Sequence, residues 1–233
     1  MTLTDLRAII FDMDDTLYLE RDFVLSGFAA VAAWAEAELG IPQTEGFPQL
    51  KTYFEAGVRG DTFNRWLADH GLEIKPWLGR MIEVYRSHQP HITPLPEAES
   101  TLQSLAPKYR LGLITEGYRT VQQAKLEALG LGHYFEEILI GGEDERQDWK
   151  PSPRPFEIML ERLGIQSRTA VYVGDNPHKD FLGARRAGMG SIRVRHPLSL
   201  HAMIDPIDAD HAPDVEIRGL GELVDLLKTK PFS

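Results

Sequence analysis

Four short apolar runs, each stopping abruptly at a polar or glycine-bearing loop, constrain this chain most. They are Leu6–Phe11 before Asp12, Arg110–Ile114 before Thr115, Glu137–Ile140 before Gly141-Gly142, and Thr169–Val173 before Gly174-Asp175. Runs of this length bounded by turn residues read as buried strands. Between them lie segments with helical spacing that stop at glycine: Val121–Leu129 before Gly130, Pro155–Leu163 before Gly164 and Phe181–Ala187 before Gly188. Further strands are expected at Ser191–Val194 and Val215–Ile217, and helices at Glu97–Leu105 and Leu220–Leu227. Strands alternating with helices build a parallel sheet covered on both faces.

The stretch from about 20 to 90 breaks this alternation. Helices are expected at Asp22–Leu39, closed by Gly40, and at Phe47–Ala56, Thr62–His70 and Trp77–His88, with no strand among them. The segment Gln89–Pro96 carries three prolines and reads as the return linker. The expected fold is α/β: a three-layer Rossmann-like parallel sheet core, residues 1–19 and 92–233, with an inserted all-helical cap domain, residues 20–91. Trp34, Tyr53, Phe54, Phe63, Trp66 and Trp77 are spaced as cap packing residues, and His88 and His91, flanking Pro90, read as a solvated pair.

Ligands of open parallel sheets bind beyond the carboxyl ends of the strands, so the post-strand loops should carry the chemistry. In Asp12-Met13-Asp14-Asp15-Thr16, two carboxylates two residues apart can face one site. Unpaired, they repel and raise a pKa; a divalent cation with a preference for hard oxygen ligands removes that cost, and Asp175 can add a further carboxylate. Thr115 and Gly117 offer a hydroxyl and backbone N–H groups to an anion at the start of a helix. Lys150, before Pro151, is a candidate cation. Taken singly, each feature also fits an ordinary surface: a solvated acidic turn, an N-cap threonine, an exposed lysine.

The chain has no cysteine, which excludes thiolate catalysis, disulfides and a Cys-based zinc site. Its net charge of -10 argues against a nucleic-acid surface, and no apolar stretch reaches the roughly 20 residues of a membrane span. Neither a nucleic-acid nor a membrane partner is expected, and a cytoplasmic location is the default.

Taken in order, these loops resemble the four motifs of the haloacid dehalogenase (HAD)-like hydrolase superfamily. The matching segments are Asp12-Met13-Asp14-Asp15-Thr16, Leu113-Ile114-Thr115, Lys150-Pro151 and Gly174-Asp175 through Asp180. A helical insertion between the first and second motifs is similar to the family's type-one cap. The resemblance implies a Mg²⁺-dependent phosphatase of a small phosphorylated metabolite, such as a sugar phosphate. Asp12 would form an aspartyl-phosphate, and Asp14 would serve the leaving oxygen and then water. Mg²⁺ would be held by the Asp12 side chain, the Asp14 backbone carbonyl and Asp175. Thr115, Lys150 and the backbone N–H groups would hold the phosphoryl oxygens, and Asp180 would orient Lys150 or a metal-bound water.

Candidate substrate contacts are Thr16, Glu116, Gly117, Asn176 and, in the cap, Arg59; Tyr18, Arg21 and Asp22 fall in the family's flap region. Glu116 departs from the pattern, because Asn is common there; its carboxylate must turn away from a phosphate or pair, for instance with Arg119. A phosphomutase of the β-phosphoglucomutase type would use the same Asp12 and Asp14. A haloacid dehalogenase would lack an acid at position 14, and a non-catalytic relative would have lost a motif acid.

Overall fold

The computed structural model describes residues 6–141 and 148–229; Gly142, named above in a post-strand loop, lies outside them. The strands are β1 (Ala8–Phe11), β2 (Arg110–Glu116), β3 (Glu137–Gly141), β4 (Ala170–Gly174), β5 (Gly190–Val194) and β6 (Val215–Ile217). The helices are α1 (Glu20–Leu39), α2 (Gln43–Glu55), α3 (Thr62–Asp69), α4 (Ile74–Ser87), α5 (Ala98–Leu105), α6 (Arg119–Leu129), α7 (Arg154–Leu163), α8 (Asp180–Arg186) and α9 (Gly221–Thr229). The chain forms two compact units, one of residues 1–20 with 93–233 and one of residues 21–92.

Among the described residues of the first unit all strand pairings are parallel, and the order is β3-β2-β1-β4-β5-β6. The chain builds outward from β1 through β2 to β3, then restarts beside β1 at β4 and builds the other way. The order therefore reverses between β1 and β4, and the crevice beyond their carboxyl ends is where such sheets bind ligands. Every residue of β1 and β4 is buried, which explains why these strands read as unbroken apolar runs. Ile10, Ile114, Phe156, Met159 and Tyr172 share one core cluster. The Phe156 and Tyr172 rings meet edge to face at 4.8 Å. Burial of each such side chain contributes about 1.5–3 kcal/mol.

The second unit is all helical. α1 stops at Leu39, where Gly40 takes φ 69, a left-handed turn that only glycine adopts freely. Trp66 is wholly buried and donates from Nε1 to the Gly46 carbonyl at 3.2 Å. Phe28 packs edge to face on Phe54 and Phe63, and Trp34 meets Trp77 at 6.2 Å. His88 corrects the expectation of a solvated pair. It is half-buried, its Nδ1 lies 2.6 Å from the Tyr85 carbonyl, and its ring lies 5.0 Å from Phe23. The apolar surface of α4 and α1 claims a ring that the polar linker sequence seemed to leave in water. Among the described residues no helix is long and apolar enough to cross a membrane.

Candidate active site

Asp12 is the first residue after β1, and its N–H donates to Val173 O of β4 at 2.8 Å. That bond carries the ladder one residue past the strand and fixes where the carboxylate emerges. The loop then tightens: Leu17 N donates to Met13 O, and Asp15 adopts φ 53, a conformation Asp tolerates better than most residues. The Asp15 carboxylate accepts from the backbone N–H of Glu20 at 2.9 Å and of Leu200 at 2.7 Å. It thus ties the loop to the start of α1 and to the segment after β5.

Lys150 is the hub. Its Nζ donates to Asp12 Oδ1 at 2.9 Å, Asp180 Oδ1 at 2.8 Å and the Tyr172 hydroxyl at 2.9 Å. Its three N–H bonds are therefore all used. Burial works against the ammonium, but Asp12 and Asp180 outweigh it and hold Lys150 well above the usual lysine range. Asp180, fully buried at the start of α8, accepts from Asn176 N at 2.8 Å with its other oxygen. Gly174 makes room for it: a Cβ there would lie 2.5 Å from Asp180 Oδ2. Gly174→Ala should therefore displace Asp180 and, through it, Lys150. We expect a loss of about 1–3 kcal/mol and about a hundredfold in turnover, read by thermal unfolding and steady-state kinetics. Unchanged kinetics would show that Asp180 does not place Lys150.

Oxygens of Asp12, Asp175 and Asp180 all lie within 4.8 Å of one another. Burial pushes Asp12 well above the usual carboxylate range; Lys150 opposes this, and Asp180, Asp175 and Asp14 add to it. Burial also lifts Asp175 to about 6, against its hydrogen bond from His201, and Glu20 to about 7, with Asp14 adding to the effect. A buried, all-oxygen, over-acidic cluster fits a hard divalent cation, the chemistry expected of magnesium rather than of a thiolate-seeking metal.

A pH dependence follows. These carboxyls bind protons more tightly folded than unfolded, so stability falls as pH rises from about 4, the unfolded value, toward 7. Without divalent cation, the melting temperature should rise on acidification from pH 7 to 5, and Mg²⁺ at pH 7 should supply most of the same gain. Asp14 does not oppose this, because its lowered pKa sheds stability only below the window. A melting temperature that falls over this range and ignores Mg²⁺ would show that the cluster carries no such strain.

Asp14 is placed differently from Asp12. Its carboxylate accepts from Lys125 Nζ at 2.8 Å, from the Tyr18 hydroxyl and from Gln122 Nε2 at 3.1 Å. Burial pushes Asp14 up, but Lys125 and these hydrogen bonds outweigh it and hold the group below the ordinary aspartate value. Of the proposed metal set, the Asp14 side chain is thus not in the carboxylate cluster.

A cavity of about 130 Å³ gathers Asp12, Asp14, Glu116, Lys150, Asp175 and Asn176, with Glu20, Lys179, Asp180 and His201 completing its wall. Thr16 and Thr115 are buried and are not part of that wall. The Thr16 hydroxyl has no hydrogen-bond partner among the described residues, while Thr115 Oγ1 accepts from Gln122 at 2.8 Å. The Gly117 N–H, expected to face an anion, already donates to Gly141 O at 3.3 Å. Glu116 does not pair with Arg119. Its carboxylate accepts the backbone N–H of Lys150, which turns the acid toward the lysine loop. Arg59, in the helical unit, donates from Nη1 to Phe54 O at 2.7 Å and stacks over the Phe54 ring.

Sequence reasoning missed Gln122, Lys125, Tyr172, Ser199 and His201. Ser199 Oγ and His201 Nδ1 both donate to Asp175 Oδ2, at 3.1 and 2.8 Å. Buried Arg193 holds their segment by donating to the His201 and Ile204 carbonyls. One signal was available for two of these residues. The buried positions of α6 are Gln122, Lys125 and Leu129, a helical stripe in which two polar side chains occupy core places.

The haloacid dehalogenase-like hydrolase family matches residues 9–194. A glyceraldehyde 3-phosphate phosphatase of Methanopyrus kandleri is 32% identical over 96% of this chain and 97% of its own. Its counterpart in Methanothermobacter thermautotrophicus is 34% identical over 95% of this chain and 100% of its own. The crystal structure of a 2-haloacid dehalogenase from Pseudomonas syringae pv. Tomato DC3000 superposes with a TM-score of 0.63 at 27% identity, covering 96% of this chain and 98% of that one.

Proposed function

This chain belongs to the haloacid dehalogenase-like hydrolase family, and from that premise we propose that it is a Mg²⁺-dependent phosphatase working through an aspartyl-phosphate at Asp12. The observation that carries the reading is Lys150 Nζ held between Asp12 and Asp180 at the switch point, with Asp175 beside them. A phosphate ester is a dianion, and a pocket for it must offset its charge and present an aligned nucleophile.

Asp12 attacks phosphorus and expels the alcohol oxygen, which takes its proton from Asp14. Water then attacks the phosphoryl group, Asp14 removes its proton, and Asp12 is regenerated with release of inorganic phosphate. The resting Asp14 is a carboxylate, and a substrate dianion arriving beside it raises its affinity for the proton it must deliver. Lys150 keeps Asp12 aligned and offsets charge. Bound by Asp12, the Asp14 carbonyl and Asp175, magnesium would supply positive charge between nucleophile and phosphate.

The acid at position 14 favours ester hydrolysis over carbon–halogen cleavage, which has no leaving oxygen to protonate. Relatives named as glyceraldehyde 3-phosphate phosphatases match nearly end to end, which supports a small, triose-sized phosphorylated metabolite as substrate. Arg59 is our candidate in the helical unit for contact with the substrate's body. The test is phosphate release from a panel of phosphorylated metabolites, triose phosphates included, with Mg²⁺ and with chelator. Release that needs Mg²⁺ is expected; isomerised substrate with little free phosphate would make the protein a mutase instead.

A further inference from the structure

Asp14 lines the cavity, yet none of the three side chains that hold it does. Lys125 and Gln122 lie three residues apart on the buried face of α6, the spacing that puts two side chains side by side. Lys125 Nζ donates to Asp14 Oδ1, where the Tyr18 hydroxyl also donates, and Gln122 Nε2 donates to Asp14 Oδ2. Both carboxylate oxygens are therefore gripped from the protein side.

Gln122 shows what this arrangement favours. Its Nε2 also faces Thr115 Oγ1 at 2.8 Å and the Glu116 carbonyl at 2.7 Å. A carboxylate and a carbonyl can only accept, so the amide nitrogen must point this way. Its Oε1 is left buried with no partner among the described residues. A buried amide with an orphaned oxygen is costly if its only duty is packing. The cost is understandable if the amide joins the Asp14 loop to the end of β2.

Resting on the reading of Asp14 as acid, we propose that Lys125 and Gln122 are positioning residues that lock the Asp14 carboxyl in the direction of the leaving oxygen. They touch no substrate and act through Asp14. The orientation of an acid matters in proportion to how badly the leaving oxygen needs a proton, so these residues set how wide a range of alcohols the site can expel.

The test uses the full chain with Mg²⁺ and a series of substituted phenyl phosphates, from acidic dinitrophenols to phenol itself, which ionises near pH about 10. Gln122→Leu removes a hydrogen bond and no charge; Lys125→Met removes the cation. Both should lower kcat/KM for phenyl phosphate roughly a hundredfold, the scale of a lost acid, and change it by less than about threefold for the dinitrophenyl ester. The dependence of rate on leaving-group basicity thus steepens, as it should in Asp14→Asn. A parallel drop across the series in Gln122→Leu, with Asp14→Asn steepened, would overturn the positioning role and leave the phosphatase intact. If Asp14→Asn itself keeps the wild-type slope, the acid reading fails instead. Should Lys125→Met not fold, Gln122→Leu decides alone.

Discussion

Asp12→Asn is expected to fold, to melt no lower than the parent and to lose turnover by about 10⁴-fold or more, the scale on which removal of a nucleophile acts. The two halves of this result have one cause. Asp12 is the carboxylate that burial and its acidic neighbours destabilise most plainly, its pKa being pushed well up despite Lys150. Replacing it with a neutral amide of the same shape removes that repulsion, and Lys150 keeps Asp180 and Tyr172 as partners. The chemistry fails because an amide cannot attack phosphorus. Phosphate release within tenfold of the parent, measured on enzyme freed of deamidated protein, would remove Asp12 from the role.

Lys150→Met is expected to lose activity and stability together. The ammonium is buried and bonded to two carboxylates, with N···O distances of 2.9 and 2.8 Å. Deleting it strands Asp12 and Asp180 without a counter-charge, and breaking such a pair costs about 3–5 kcal/mol. The sign of the pH dependence identifies the cause. Stranded carboxyls take protons more readily folded than unfolded, so the variant's deficit relative to the parent should shrink as pH is lowered from 7 toward 5. A deficit that stays constant over that range would point to lost packing of the lysine stem rather than to charge. Equilibrium unfolding in urea at several pH values separates the two.

Much of this molecule was legible before its structure. β1 and β4 are buried on both faces, so their sequences are continuous apolar runs, and their abrupt ends mark the crevice. Asp12 and Asp175 could be found because residues just past a strand must sit at that end of the sheet; Thr115, expected to follow β2, is instead its next-to-last residue, at the same end. The aromatics of the helical unit announced themselves by spacing, as Trp66 and Phe54 show.

What stayed hidden was carried by long-range contact rather than by local pattern. Tyr172 occupies an ordinary core position, from which its hydroxyl reaches Lys150. Ser199 and His201 lie in an aperiodic segment whose place depends on buried Arg193. Glu116 was expected to turn away from the phosphate or to pair, for instance with Arg119; the backbone N–H of Lys150, distant in sequence, is the donor it meets. His88 took a place against Phe23 that no neighbouring residue foretold.

The claim at the centre is that the phosphoryl group passes through the side chain of residue 12. Borohydride reduces an acyl phosphate to the alcohol, so quenching the enzyme with borohydride during turnover of a triose phosphate and mapping its peptides by mass reads that step directly. Homoserine at position 12, present with substrate and absent without it, is the expected outcome. An unaltered aspartate 12 throughout a quench series that spans the first turnover, with phosphate still being released, would contradict the account.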